Sequence, residues 1–373
     1  MPDLLVSEVV AQIQAAVSDV FATQDITVGQ REPFTVRLRG RLIVASERAY
    51  ELVASRLRAM GFTTLFRREG DAQVILAIRG ALPEAKAQPW VAGVLLLLTV
   101  ISVLYTGMTL GVEDVGSRRT LLHGWPFAVG LLSILLAHEL GHYFAGRLMG
   151  VPVSLPYFIP MPLSIFGTMG AFIRMKGPAV NRRRLLSMAA AGPLAGLAVA
   201  IPVLLIGLSL SEVRPMLQHI PPGMVVFREG NSLFYIMLKM LVFGRFLPGG
   251  GEDVWLHPLA FAGWAGLFVT GLNLIPAGQL DGGHIIYTLL GKRAQPLTWI
   301  IIAALAGLDY LNYRLYGQIS WSLLALLIFL FGRIHAVPLD DITELDPPRK
   351  LLAGLMMLLF VLLFVPTPVV VLH

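Results

Sequence analysis

Long apolar blocks fill this chain from Pro89 onward, and they restrict the folds that it can adopt. A helix needs about 20 mostly apolar residues to cross the hydrocarbon core of a bilayer. The blocks predict spans near residues 90–111, 125–149, 186–210, 257–278, 296–311, 319–333 and 351–369. The fifth and sixth are short for a full crossing, so we expect about six to eight spans. The chain is therefore predicted to be a polytopic α-helical membrane protein.

Composition supports this prediction. The 373 residues are 56% hydrophobic and 14% charged, with a mean hydropathy of +0.73. Soluble domains carry roughly one-quarter charged residues, so the chain lies far outside that class. It contains no cysteine, which excludes a thiolate metal site and leaves histidine and carboxylate side chains as metal ligands.

The first 86 residues are charged and mixed in character, unlike the remainder. We predict a small soluble α/β domain over residues 1–86 and a membrane domain over residues 87–373. Residues 34–44 alternate apolar and basic side chains, as a half-buried strand does. Ser46 is a predicted N-cap of the following helix, which is expected to stop at Gly61.

Two further strands are predicted near residues 63–67 and 74–78, and Glu69, Gly70 and Asp71 form the turn between them. The alternative is a strand-rich linker, which the regular sequence of caps and turns disfavours. Three acidic residues and no basic residue lie in the first 20 positions, so no cleaved signal peptide is expected.

The net charge of +6 is concentrated in short connections beside the apolar blocks. Such an excess is typical of cytoplasmic loops, so we expect no nucleic-acid partner. The strongest basic connection follows the 125–149 block and contains Arg174, Lys176, Arg182, Arg183 and Arg184. We predict that it is cytoplasmic, together with the N-terminal domain, Lys292, Arg293 and the 333–350 connection.

His138, Glu139 and His142 form an H-E-L-G-H motif inside the 125–149 block. Two histidines at positions i and i+4 share one helix face and can bind one zinc ion, and the glutamate between them can act on water. A chance match in a helix is the alternative. Ionisable side chains at membrane depth are costly, however, and this favours metal binding.

A zinc hydrolase site needs a third protein ligand and one open position. Asp281 is the best candidate, because the predicted topology brings it to the same membrane side as His138. As an alternative, Asp281 caps a helix in an ordinary Asp-Gly-Gly turn.

These motifs resemble those of the site-2 protease family of intramembrane zinc metalloproteases. His138 to His142 match the family's HExxH motif, and Asn273 to Pro276 followed by Leu280 to Gly283 match its N-x-x-P and L-D-G motif. Residues 167–171 and 191–196 resemble the family's glycine loop and its third core helix. The resemblance covers roughly residues 120–290. The chain shows no PDZ-like insertion, and in this respect it is similar to the plastid and cyanobacterial branch of the family.

The resemblance implies one zinc ion per chain, bound by His138, His142 and Asp281, with Glu139 as general base. It also implies that Asn273 helps to hold the substrate or the oxyanion. The expected activity is hydrolysis of a peptide bond in or near the transmembrane segment of a single-span protein in the bilayer. A bacterial inner membrane is the favoured location and a plastid membrane the alternative; an ion transporter is the alternative function.

Four prolines interrupt residues 151–176, so no spanning helix is predicted there. Irregular backbone at membrane depth must be buried in protein or face a cavity, which predicts a re-entrant hairpin beside the metal. Gly167 and Gly170 are candidates for a loop that offers an edge to an extended substrate. A structural plug is the equally weighted alternative.

Overall fold

The computed structural model describes residues 2–29, 34–80, 88–110, 118–175, 177–216, 226–332 and 337–372. Lys176, Arg333 and Lys86, which the predicted topology and domain boundary involve, lie outside these residues. The chain divides into two compact units. Unit 1 contains Met1–Lys86, Met175–Leu186 and Ala336–Arg349, and unit 2 contains Ala87–Arg174, Ser187–His335 and Lys350–His373.

Unit 1 is built on a four-stranded antiparallel sheet in the order β1-β2-β4-β3. Its elements are α1 (Pro2–Val17), β1 (Phe21–Gly29), β2 (Thr35–Leu42), α2 (Ser46–Ala59), β3 (Phe62–Glu69) and β4 (Ala72–Arg79). Strand β2 shows why the sheet has one buried face: Val36 and Leu38 are fully buried, whereas Arg39 is exposed. The sheet and helices enclose one apolar core.

Two features of unit 1 differ from the sequence predictions. Helix α1 and strand β1 were not predicted. In β1 only Phe21 is fully buried, so the strand lacks the regular alternation of buried and exposed residues that identifies a strand in a sequence. Ser46 is the first helical residue of α2 rather than its N-cap, which is Ala45. The Ser46 hydroxyl instead forms a hydrogen bond with the Thr343 hydroxyl at 2.6 Å.

Later parts of the chain complete unit 1. Strand β3 lies at the end of the sheet, and Phe66 donates its N–H to the carbonyl of Leu339 (2.9 Å) and accepts from Asp341 (3.1 Å). The same short segment reaches a second one, since Leu339 donates to Ala179 (3.0 Å). These bonds cover an otherwise unpaired sheet edge, which is a general liability of exposed strands.

Unit 2 is mostly helical. Its helices are α3 (Pro89–Thr109), α4 (Arg118–Leu148), α5 (Arg182–Ser209), α6 (Leu233–Phe243), α7 (Pro258–Asn273), α8 (Asp281–Leu290), α9 (Ala294–Tyr316), α10 (Ser322–Phe331) and α11 (Pro347–Leu363). Helices α5 and α11 begin within the segments of unit 1. A short 3-10 helix, Gly291–Arg293, links α8 to α9, α3 packs on α4, and α4 packs on α7.

Four helical segments of the described chain are long and apolar enough to cross a membrane: Pro89–Thr109, Gly124–Leu148, Arg182–Ser209 and Asp281–Tyr316. They correspond to a polytopic helical membrane protein. The predicted 257–278 span differs, because α7 ends at Asn273 and a turn containing Pro276 and Gly278 follows. The predicted count of about six to eight spans stays a prediction.

Three two-stranded sheets accompany the helices of unit 2. Strands β5 (Tyr157–Pro160) and β6 (Thr168–Phe172) form an antiparallel hairpin where the sequence predicted non-helical structure. Strand β7 (Glu212–Pro215) pairs with β9 (Glu252–Trp255), and β8 (Val226–Glu229) pairs with β10 (Val369–Leu372). The β5–β6 hairpin is the one that lies nearest the predicted metal ligands, because β6 packs against α4.

Candidate metal centre

Three predicted ligands converge in unit 2. His138 and His142 project from one face of α4, and Asp281 is the first residue of α8. The two Nε2 atoms are 3.1 Å apart, and Asp281 Oδ2 lies 3.3 Å from Nε2 of His138 and 3.2 Å from Nε2 of His142. Both histidines are buried. His142 and Asp281 are 139 positions apart in the sequence, yet their ligand atoms and that of His138 lie close together.

These separations fit a zinc ion. A tetrahedral site with bonds of roughly 2.0–2.1 Å places its ligand atoms roughly 3.3–3.4 Å apart. The three measured edges, 3.1 to 3.3 Å, are close to that triangle. Two imidazoles and one carboxylate also form a donor set that zinc accepts in hydrolases. Three protein ligands leave the fourth position open.

The local backbone explains how Asp281 reaches the histidines. Leu280, and not Asp281, is the N-cap of α8, and the Asp281 carboxylate lies against the two histidines. A Cβ at Gly282 would lie 2.0 Å from the carbonyl oxygen of Leu274, and one at Gly283 would lie 2.4 Å from that of Gly278. The two glycines therefore allow α8 to start directly against the turn that ends α7.

Glu139 lies beside the three ligands and is buried. The backbone of Ile173, immediately after β6, lies beside its carboxyl group. The second oxygen, Oε2, is buried and has no hydrogen-bond partner among the described residues. An unsatisfied buried carboxylate oxygen is costly, and Oε2 remains available to accept a hydrogen bond from water or substrate.

The charges of the site favour a cation. Asp281 and Glu139 bring two carboxylates into a buried region, and the described part of the chain pairs neither with lysine or arginine. Uncompensated buried charge is strongly unfavourable. A divalent cation held by the histidines and Asp281 would compensate the charge of both carboxylates.

The remaining predicted residues take different positions. The Asn273 amide lies 3.3 Å from Nε2 of His138, at the edge of the ligand cluster. Gly167, with φ +71°, packs against α3, where a Cβ would lie 2.7 Å from Val103 Cα. Gly170, with φ +99°, is buried within β6, but a Cβ there would meet no atom within 4 Å, so the two glycines have different surroundings.

Sequence reasoning missed two contacts that support the site. Nδ1 of His142 lies 2.8 Å from the carbonyl oxygen of Met188, and the backbone of Ile173 lies beside the Glu139 carboxyl group. Both act through backbone groups, which leave no signal in residue type. The nearest available signal is the small-residue segment 191–196, which resembles the family's third core helix and contains Gly192.

Comparisons with known proteins identify a matching family and similar sequences. A family profile described as "Peptidase family M50" matches residues 126–307. The chain is 33% identical over 242 residues to "Probable zinc metalloprotease EGY1, chloroplastic" of Arabidopsis thaliana, which covers 65% of this chain and 42% of that protein.

It is 30% identical over 373 residues to "Probable zinc metalloprotease EGY2, chloroplastic" of the same plant, which covers 94% of this chain and 64% of the relative. The chain thus spans less than two thirds of the length of these relatives. No solved structure matches it. The profile match and the relatives support the assignment of this chain to peptidase family M50, the site-2 protease family.

Proposed function

We propose that this protein is an intramembrane zinc endopeptidase that hydrolyses peptide bonds in or near the transmembrane segment of a membrane protein. The convergence of His138, His142 and Asp281 beside Glu139 is the observation that carries the proposal. The zinc metalloprotease names of the relatives support it. His138, His142 and Asp281 would hold one zinc ion per chain.

When bound, zinc would supply a Lewis acid that polarises the scissile carbonyl group. Glu139 performs the proton transfers: its carboxylate takes a proton from the attacking water and gives it to the leaving amine. The backbone of Ile173 lies beside that carboxyl group, and Oε2, which has no hydrogen-bond partner among the described residues, would accept from the water. Asn273, beside His138, is placed to donate a hydrogen bond to the substrate carbonyl as negative charge develops on it.

The substrate is proposed to be a single-span membrane protein whose segment is extended at the site. A helical substrate hides its carbonyl groups in internal hydrogen bonds, so cleavage needs extended backbone. Strand β6 pairs with β5 on one side and packs near α4, which carries Glu139. Gly170 on this strand is buried, but a Cβ there would meet no atom within 4 Å, and we propose that substrate backbone approaches at this point, whereas Gly167 packs against α3.

For the membrane arrangement, we propose about six to eight spans with the N-terminal domain in the cytoplasm. Helices α7, α10 and α11 are shorter than the four candidate spans and would complete the count. A bacterial inner membrane is proposed as the location. The names of the matched relatives place those proteins in chloroplasts, which keeps a plastid membrane as the alternative.

The test is Glu139→Gln in the full-length protein. This variant keeps the side-chain shape and all three ligands but cannot accept a proton, so cleavage should fall on the order of a hundred-fold to ten-thousand-fold. Cleavage of a labelled single-span substrate is measured at equal zinc occupancy. Glu212→Gln, which changes an exposed glutamate on β7, is the matched control and should cleave like the wild type.

Metal analysis completes this experiment. Zinc should stay bound to the Glu139→Gln variant and be lost from Asp281→Asn, since the latter removes a ligand. Equal cleavage by wild type and Glu139→Gln would contradict the proposed mechanism. No cleavage by either form, combined with metal flux by both in proteoliposomes, would identify a transporter.

A further inference from the structure

Helices α4 and α5 cross in direct backbone contact next to the metal centre. A Cβ at Gly141, inside the H-E-L-G-H motif, would lie 2.5 Å from the carbonyl oxygen of Ala191 and 2.8 Å from Ala195 Cβ. Small residues on both helices thus permit the close approach, as they do at many helix crossings in membranes. Helix α5 consequently forms a wall against which both histidines of α4 must fit.

His142 fits against that wall at Gly192. A Cβ added to Gly192 would lie 2.0 Å from Nε2 of His142 and 2.4 Å from its Cδ2 and Cε1 atoms. Three atoms of the His142 ring would thus lie within 2.4 Å of the added Cβ, so the imidazole occupies the space that a side chain at position 192 would fill. Any larger residue at position 192 must displace the ring.

The ring cannot move away freely, because α5 also holds its other nitrogen. The 2.8 Å contact between Nδ1 of His142 and the carbonyl of Met188 requires a proton on Nδ1. Nε2 then carries the lone pair and faces His138 and Asp281. One turn of α5 therefore supplies both the bond that selects the tautomer and the space that receives the ring.

We propose that Gly192 is a positioning residue for zinc binding: the absence of a side chain there lets His142 direct Nε2 into the metal centre while Met188 holds Nδ1. This inference rests on the proposed zinc site. It assigns a role in metal affinity to a residue that touches neither substrate nor the reacting atoms.

The same helix provides a graded comparison and a control. A Cβ at Gly196 would lie 3.2 Å from Cβ and Nδ1 of His138, a tight contact that requires a shift of a few tenths of an ångström. A Cβ at Gly207 would lie 2.2 Å from the backbone nitrogen of Ala260, far along the helix from either histidine. Gly207 thus reports the effect of disturbed helix packing without a displaced ligand.

The experiment compares Gly192→Ala, Gly196→Ala and Gly207→Ala in the purified full-length protein. Zinc affinity is measured by competition with a chromophoric chelator, and the visible spectrum of bound cobalt(II) reports the ligand geometry. Disturbing groups that orient metal ligands typically weakens metal affinity about 10- to 100-fold. We expect a loss of that size for Gly192→Ala, a smaller loss for Gly196→Ala, and wild-type affinity in the folded fraction of Gly207→Ala.

The cobalt spectrum separates positioning from general destabilisation. A displaced imidazole alters the cobalt bands in Gly192→Ala, whereas Gly207→Ala should keep the wild-type bands even if its melting temperature falls. Folded Gly192→Ala with wild-type zinc affinity and spectrum would overturn the inference. If Gly192→Ala does not fold, equal zinc affinity in Gly196→Ala and Gly207→Ala would overturn it instead.

The outcome is independent of proteolysis. A wild-type protein that binds zinc but cleaves no substrate would contradict the proposed function and leave the comparison of affinities intact. A wild-type protein that binds no zinc at this centre would contradict both.

Discussion

Glu229 belongs to a cluster of ionisable side chains outside the candidate spans. Its carboxylate accepts a hydrogen bond from the Tyr235 hydroxyl (3.1 Å), and Lys239 lies 3.6 Å from Asp253 and over the Tyr235 ring. Burial raises the pKa of Glu229 to about 7; the charge of Lys239 opposes this and that of Asp253 adds to it. Burial also lowers the pKa of Lys239.

These pKa changes predict a pH dependence of stability. The folded pKa of Glu229 exceeds its unfolded value, so its contribution is fully present below the unfolded value of 4.5 and is lost as pH rises through about 7. The wild type should lose on the order of 2 kcal/mol between these limits, and Glu229→Gln should lose less. Thermal unfolding in detergent at pH 4.5, 6 and 8 measures this. If the stability of the wild type and that of Glu229→Gln fell equally with rising pH, the prediction would be contradicted.

At the scale of residues, the chemistry of the site was predictable and its support was not. The i, i+4 spacing of His138 and His142 follows from helix geometry, and Asp281 follows from the need for a third ligand. Gly192 and the Met188 carbonyl act through the crossing of two helices. That crossing depends on tertiary packing, which no local pattern in the sequence records.

Among secondary-structure elements, the β3 edge of unit 1 depends on the segments that follow it far along the chain. Arg182, at the start of α5, donates to Asp341 at 2.9 Å, and both side chains are largely buried, with exposures of 17% and 6%. Arg68 and Glu344 form a comparable pair at 3.3 Å, but both side chains are more than half exposed.

The two pairs should differ in their contribution to stability. Arg182→Ala leaves a buried carboxylate without this partner, and we expect a loss of about 2 kcal/mol. Arg68→Ala removes a solvent-screened pair and should cost about 0–1 kcal/mol. Urea unfolding followed by a fluorophore attached to unit 1 gives both values. Equal losses would show that Arg182 and Asp341 contribute no more than a surface pair.

Strands β3 and β4 and the turn at Gly70 lie where the sequence predicted them, because turn residues and alternation are local signals. The pairing of Phe66 with Leu339 and Asp341 was not predictable in the same way. It joins residues from distant parts of the chain, and neither partner segment shows a strand pattern.

The whole molecule is predicted to keep unit 1 and the short basic connections on one side of the membrane. The chain contains no cysteine, so single cysteines allow an unambiguous labelling test. Cysteines replacing the exposed residues Asp71 and Lys292 should react with a membrane-impermeant maleimide from the same side, and one at Glu212 from the opposite side. Modification of positions 71 and 292 from opposite sides would overturn the arrangement.

The discontinuous makeup of unit 1 has a consequence for biosynthesis. Residues 1–86 leave the ribosome first, but the partners of Phe66 follow only at positions 339 and 341. At about 5–20 residues per second, the intervening stretch takes roughly 10 to 50 s to translate. During that interval, the outer edge of β3 is open to chaperones and to cellular quality-control proteases. Closure of the edge therefore marks a nascent chain whose apolar helices α3 to α10 have already been synthesised.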